Sequence, residues 1–458
     1  MNTAQVTGSN TLSTGQRIRA IAGVCAGALV EWFDFFIYAY TSIYFASLFF
    51  PAGDPVSQLL ATSAVFAVGF FMRPLGGWIF GYLADTKGRK LSMMVSVLVM
   101  CAGSLMVAVL PTYETIGVAA PILLVVARLM QGLSVGAEYG TGATYLSEVS
   151  TKGRRSLFAS FQFLTIMGGQ LMALLTVALI QHFLPQDMLK EWGWRIPFFM
   201  GAAAALVVLY LRRSMVETAT EESMKHKEAG SIKALGHYKR SVVLTFAVTI
   251  GISLYYYTFT AYMQKLLVVS AGFAPATVST IMIFALIVFM IMQPFFGMLA
   301  DRIGVKKSMM IFGSIAVVTV APILTALSHA QSAVEAFVLI VLGFVIGSFY
   351  TPVVGLLKAD LYPASVRALG VGLPYAIGAA LFGGSSEYVA LSFRLAGVEH
   401  YFFYYVTAVV GVTAIAAYLM PDLRKYGYLD GVGDVEHNIG LKNFLGQKKQ
   451  VLQTQPGQ

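Results

Sequence analysis

Twelve runs of about twenty or more largely apolar residues divide this chain, and no other feature limits its fold as strongly. They cover residues 20–50, 58–83, 91–110, 118–147, 157–184, 194–211, 241–268, 276–300, 308–327, 333–357, 366–392 and 401–420. A helix needs about 20 apolar residues to cross the hydrocarbon core of a bilayer, and within that core its backbone amides must find partners in the segment itself. Of 458 residues, 57% are hydrophobic and 12% charged, against about 25% charged in a soluble domain. The mean hydropathy is +0.73. A water-soluble enzyme and a disordered chain are both excluded. The fold class expected is an all-α integral membrane protein with twelve transmembrane helices.

The charges then set the orientation. Loops on the cytoplasmic side should hold the Lys and Arg residues. With the N-terminus inside, the inner segments hold 24 of the 31 basic residues and the outer loops hold Lys190 and Arg394 alone. The other five, Arg73, Arg128, Arg195, Lys265 and Lys358, lie in or at the ends of spans. Both termini are therefore expected in the cytoplasm. The expected organisation is a cytoplasmic N-terminus (1–19), a first six-helix half (20–211), a cytoplasmic linker (212–240), a second six-helix half (241–420) and a loosely ordered cytoplasmic tail (421–458). The net charge of +9 does not indicate nucleic acid, because the basic residues fall between apolar runs and form no single soluble face. Cys25 and Cys101 sit in apolar segments and read as core residues. No cleavable signal peptide is visible, because a polar start at Asn2–Gln16 leads into a run too long for a signal sequence.

The halves carry a copied loop. Gly81-x3-Asp85-x2-Gly88-Arg89-Lys90 recurs as Gly297-x3-Asp301-x2-Gly304-x-Lys306, always 216 residues on, after the second span of each half. Glu148-x6-Arg155 recurs as Asp360-x6-Arg367, 212 residues on, after the fourth. Parallel repeats of this kind commonly rock about a site at the midplane. The first loop, together with Arg128-x2-Gln131-Gly132 in the fourth span, resembles the signatures of the major facilitator superfamily. Glu31-Trp-Phe-Asp34 in the first span, Phe71-Met-Arg73-Pro, Glu191-Trp-Gly-Trp-Arg195 and Phe382-Gly-Gly-Ser-Ser-Glu387 are similar to the metabolite:proton symporters within it. The likeness runs from about Arg17 to Met420.

That resemblance implies two pseudo-symmetric halves and alternating access, with a small organic anion and protons as partners in a bacterial inner membrane. It implies import of a small dicarboxylate, with α-ketoglutarate the first expectation. Citrate, shikimate or a zwitterion such as proline or betaine are the alternatives, and residues 421–458 lack the sustained heptads of an osmosensing betaine carrier's tail. A monomer is expected. ATP has no Walker A loop to bind, no Cys/His group has metal spacing, and no cofactor or catalytic residue is expected, so the chain is not read as an enzyme. Gly168-Gly169 lacks the Gly-Pro-x2-Gly-Gly series that resembles drug exporters.

An ionisable side chain within a span is costly and usually faces a cavity or a partner. Asp34 and Glu31 share a helical face in the first span. The family places the fourth span beside the first, which makes Arg128 the natural partner of Asp34. The pair either couples protons or forms a permanent bridge, and Glu31 is a further candidate. Arg73 lies about 18 Å above Asp85 at 1.5 Å per residue, where its planar fork suits a carboxylate. It either binds substrate or pairs with Glu138 or Glu387. Lys265 either takes a second carboxylate or marks the outer end of its helix. Tyr38, Tyr255 and Tyr262 are candidate cavity phenols. Arg195 is an interfacial anchor or a substrate contact. Asp85, Gly88, Arg89, Asp301, Glu148, Arg155, Asp360 and Arg367 are expected to set the conformational equilibrium as gates.

Overall fold

A backbone shielded from water has no partners but its own, and each apolar run accordingly forms a helix. The computed structural model describes residues 14–51, 55–213, 215–225 and 230–440; residues 1–13 of the N-terminal segment and 441–458 of the tail lie outside them. The first half contains α1 (Thr14–Phe49), α2 (Pro55–Lys87), α3 (Arg89–Val109), α4 (Ala119–Val149), α5 (Arg155–Phe183) and α6 (Ile196–Arg213). The second contains α7 (Lys239–Tyr257), α8 (Pro275–Ile303), α9 (Val305–Ser328), α10 (Ala333–Ser348), α11 (Arg367–Gly378) and α12 (Glu399–Leu419). Among the described residues there is no strand, and eleven helical stretches are long and apolar enough to cross a membrane.

The tenth run differs from its sequence reading as one span over 333–357. Its apolar helix α10 stops at Ser348, and a turn separates it from a short helix at Val354–Asp360. α7 and α11 also deviate. α7 continues through two widened π turns, Thr258–Tyr262 and Leu266–Ser270, and α11 through one, Ala379–Gly383, before Ser386–Leu395.

Glycine makes two local features possible. Gly88 ends α2 with φ 107° and Gly304 ends α8 with φ 99°, so the copied loop breaks both helices with the same left-handed turn. On α4, Gly132, Gly136 and Gly140 are spaced by four. A β-carbon at Gly132 would lie 2.2 Å from the Gly69 carbonyl of α2, and one at Gly136 would lie 2.2 Å from the Arg73 carbonyl. This stripe lets α4 seat directly on the backbone that carries Arg73.

Within the first half α1 packs on α5 and α6, while α4 packs on α2 and α3. Within the second, α12 packs on α7 and α9. The halves meet along two equivalent seams, α2 against α11 and α5 against α8. The tail is not loose over its described part. It forms short helices at Leu423–Tyr426 and Val435–Asn438, and docks under the second half, because Glu436 accepts the backbone N–H groups of Arg240 and Ser241 at 2.7 and 3.0 Å.

Candidate functional site

Arg73 is 1% exposed, yet its guanidinium has almost no polar company. The cation stacks against Phe70 at 4.0 Å, Phe35 at 4.5 Å and Trp32 at 5.3 Å. Nη1 donates to the Tyr257 hydroxyl at 3.3 Å, while Nε and Nη2 have no partner. The two carboxylates that could have neutralised it are engaged elsewhere: Glu138 binds Arg212, and Glu387 binds Lys265.

Beside Arg73 lies a cleft between the halves. Trp32, Tyr139 and Phe163 wall it from the first half, and Tyr256, Tyr257 and Tyr375 from the second. Behind the Tyr139 and Tyr375 rings is a second buried cation, Lys358. Its Nζ lies 4.9 and 4.4 Å from their centroids and 3.2 Å from the Tyr139 hydroxyl. Among the described residues no carboxylate is within ion-pair distance of Arg73 or Lys358.

Asp34 and Arg128 do not touch, contrary to the direct pairing expected. Ser104 and Gln131 stand between them, because α3 inserts a hydroxyl where a bridge would form. Arg128 Nη1 donates to Gln131 Oε1 at 2.7 Å, Gln131 Nε2 donates to Ser104 Oγ at 3.0 Å, and the Ser104 hydroxyl donates to the Asp34 carboxylate. The other Asp34 oxygen has no partner. Arg128 lies 4.3 Å above the Tyr38 ring, whose hydroxyl reaches the Thr62 carbonyl, so Tyr38 shields the relay and does not line the cleft. Glu31 is buried beside this relay and accepts from Ser134 Oγ at 2.6 Å.

Four candidates for substrate contact lie elsewhere. The Lys265 side chain is 44% exposed and paired with Glu387, and it sits between the two π turns of α7, five residues before the stretch ends at Ser270. Tyr255 donates to the Gly343 carbonyl at 2.6 Å, and Tyr262 donates to Glu399 at 2.6 Å. Both phenols turn into the second half, and Tyr256 and Tyr257 reach the cleft instead. Arg195 lies 4.1 Å over Trp194 and donates to the Leu110 carbonyl at 2.7 Å, which satisfies the end of α3.

At the end bearing the basic loops, carboxylates cap helix starts. Asp85 of the first half accepts from the Ala368 and Leu369 amides of α11 at 3.1 and 3.0 Å; Asp301 of the second accepts from the Ser156 and Leu157 amides of α5 at 2.7 and 3.0 Å. Arg89 lies 3.0 Å from Asp85, and Glu148 accepts from Arg367 at 2.8 Å across the seam. The copied pair is asymmetric. Arg155 does not reach Asp360, because Leu429 of the tail fits between them. Asp360 accepts the Leu429 amide at 2.7 Å, and Arg155 Nη2 donates to Asp430 at 3.1 Å. Asp360 lies past the tenth apolar run, and burial pushes its carboxyl up to about 6, against the opposing pull of the Leu429 amide and of Arg367 and Arg155.

Sequence reasoning did not single out Lys358, Ser104 or Tyr139. A lone lysine directly after the tenth run was the available signal for the first. Gln131 stood in the Arg128-x2-Gln131 motif, but its role as a relay appears only when α3 is in place.

Residues 24–381 match the model of the Major Facilitator Superfamily. The chain is 53% identical over 407 residues to the alpha-ketoglutarate permease of Escherichia coli (strain K12), covering 89% of this chain and 93% of that protein. It is 32% identical to a citrate-proton symporter of Klebsiella pneumoniae, covering 82% and 85%. In fold it is similar to a solved proton:xylose symporter, with a TM-score of 0.72 at 14% identity over 88% of this chain and 95% of the other. These relatives are transporters, not enzymes.

Proposed function

The chain belongs to the major facilitator superfamily, and within it we propose a proton-coupled importer of a small dicarboxylate, α-ketoglutarate before citrate, shikimate or a zwitterion. The observation that carries this reading is the free edge of Arg73. Nε and Nη2 form the side of the guanidinium that grips a carboxylate with two parallel hydrogen bonds, and both are buried without a partner beside the cleft. A buried cation without a counter-ion is costly, and an anionic cargo removes that cost when it binds. The identity to a curated alpha-ketoglutarate permease supports the choice of cargo.

The transporter works as a monomer in the bacterial inner membrane, with the basic loops and both termini in the cytoplasm. Asp34 takes up a proton from outside. Its carboxylate then no longer orders the Ser104–Gln131–Arg128 chain, and Arg128 is released to move with α4. Substrate engages Arg73. The carboxylate-capped helix starts at the cytoplasmic end then part, the halves rock, and proton and substrate leave inside. Only ligands that bind the two conformations differently can drive such a cycle.

The test is uptake of labelled α-ketoglutarate by proteoliposomes under an imposed inward proton gradient. Accumulation above equilibrium that a proton ionophore collapses is the expected result. Accumulation indifferent to the ionophore would remove the coupling, and competition by proline or shikimate but not by dicarboxylates would remove the cargo.

A further inference from the structure

Arg73 explains one carboxylate, and a dicarboxylate has two. Resting on the reading of the cargo given above, we infer that Lys358 receives the second carboxylate, so that selectivity for dicarboxylates resides in a pair of cations on opposite halves.

Four rings of one cleft connect the two cations. Arg73 contacts Trp32 and Tyr257, Lys358 contacts Tyr139 and Tyr375, and all four rings line the same cavity. Lys358 is 0% exposed and comes from the short helix Val354–Asp360, produced by the interruption of the tenth run. That break turns Lys358 onto the seam, where Tyr139 of α4 is its hydrogen-bond acceptor. An ammonium has three donors, and the Tyr139 hydroxyl occupies one. The flanking rings face the ammonium but supply no negative charge, so the buried Lys358 amine has no anion of its own until one binds. The Tyr139–Tyr375 stack, 3.4 Å between centroids, separates Lys358 from the cleft. A carboxylate reaches it as Tyr139 and Tyr375 part, and a substrate held by both cations ties α2 of the first half to the second. A monocarboxylate would engage Arg73 alone and could not make that tie.

The rival is a purely structural lysine that holds the Tyr139–Tyr375 stack together. Competition against labelled α-ketoglutarate by unlabelled α-ketoglutarate and by 2-oxopentanoate, which has the same chain length without the distal carboxylate, separates the two. In the unaltered protein the diacid should compete about tenfold or more better, the value of one charge-assisted hydrogen bond. In Lys358→Met the diacid should weaken about tenfold or more while 2-oxopentanoate is unchanged, and Lys358→Arg should keep most of the preference. Equal weakening of both competitors in Lys358→Met, or equal competition in the unaltered protein, would overturn the inference. Equal competition in the unaltered protein overturns the inference even if Lys358→Met does not fold, and in that case Lys358→Gln carries the comparison of the two competitors. Should the unaltered protein show no gradient-driven accumulation, the import reading fails by itself, and calorimetric binding of the same two compounds still tests the cation pair.

Discussion

At the scale of single residues, the protein keeps its buried charges in different states of satisfaction, and that difference separates structure from transport chemistry. Glu138 and Arg212 form a buried ion pair through one carboxylate oxygen, with Arg212 also donating to the Met93 carbonyl at 2.6 Å and the Gly23 carbonyl at 3.3 Å. Arg212→Met leaves Glu138 uncompensated and should destabilise the protein by about 3–5 kcal/mol. Adding Glu138→Gln should recover a large part of that loss in a detergent thermal-melting assay. If the double variant melts no higher than the single, the pair is not the reason for the destabilisation. Arg73 is the opposite case, a cation with its bidentate edge open. Arg73→Lys keeps the charge and loses the fork, so its KM for uptake should rise about tenfold or more while its melting temperature stays near that of the parent. An unchanged KM would place substrate elsewhere. Asp34→Asn should abolish accumulation driven by the proton gradient and retain substrate exchange, measured as counterflow. Accumulation at the normal level would move coupling away from Asp34. Glu138, Arg73, Asp34 and Arg128 were legible in the sequence, since each interrupts an apolar run, whereas Arg212 read as the start of the linker and is buried at the end of α6. The pairing of these charges was not legible. Arg128 and Asp34 looked like direct partners because sequence says nothing of Ser104, which arrives from a third helix.

At the scale of elements, regular periodicity explains what could be read, and departures from it explain what could not. The copied loop was visible because both copies need a left-handed turn, and both use glycine for it at Gly88 and Gly304. Which face of α7 meets the cleft was not legible: Tyr255 and Tyr262 both bond within the second half, and Tyr256 and Tyr257 line the cleft. The tail was misread because its composition is polar, yet its polar groups are used: Glu436 caps α7 and Leu429 fills the gap between Asp360 and Arg155. This docking carries a pH dependence whose sign follows from Asp360. Its carboxyl is raised from 3.8 to about 6 in the docked state, so burial penalises the ionised form. Relative to an exposed aspartate, the buried state of Asp360 is favoured most below pH 3.8 and loses that advantage as pH rises through about 6. Hydrogen exchange over residues 421–440, corrected for intrinsic rates, should be slower at pH 5.5 than at pH 7.5. Asp360→Asn should flatten that contrast, and its survival in the variant would assign the effect to another group.

At the scale of the whole molecule, two six-helix units meet at an end held shut by charge. Each half contributes one aspartate that caps a helix of the other, Asp85 on α11 and Asp301 on α5. The arrangement follows the two-fold repeat, and both residues occupy the same place in the copied loop. The second copied pair departs from that symmetry. Glu148 reaches Arg367 directly, and the tail mediates between Arg155 and Asp360. Closure at this end is therefore the sum of two equivalent aspartate caps, the direct Glu148–Arg367 pair and one contact braced by the tail. Charge-assisted bonds to backbone amides contribute about 1.5–3 kcal/mol each, so losing one aspartate should shift the open-to-closed ratio by about tenfold or more. Asp85→Asn and Asp301→Asn should each favour opening at the basic-loop end, and the double variant should favour it more than either. Spin labels at Lys87 and Arg302, exposed positions on opposite halves, report the gap after Cys25 and Cys101 are replaced by alanine. The parent should give mainly the short distance, each single variant a mixture, and the double variant mainly the long one. A double variant with the parent's distribution would show that these caps do not hold the end shut. Removal of the tail after Met420 should then be the change that opens it, through loss of the brace at Leu429 and Asp430.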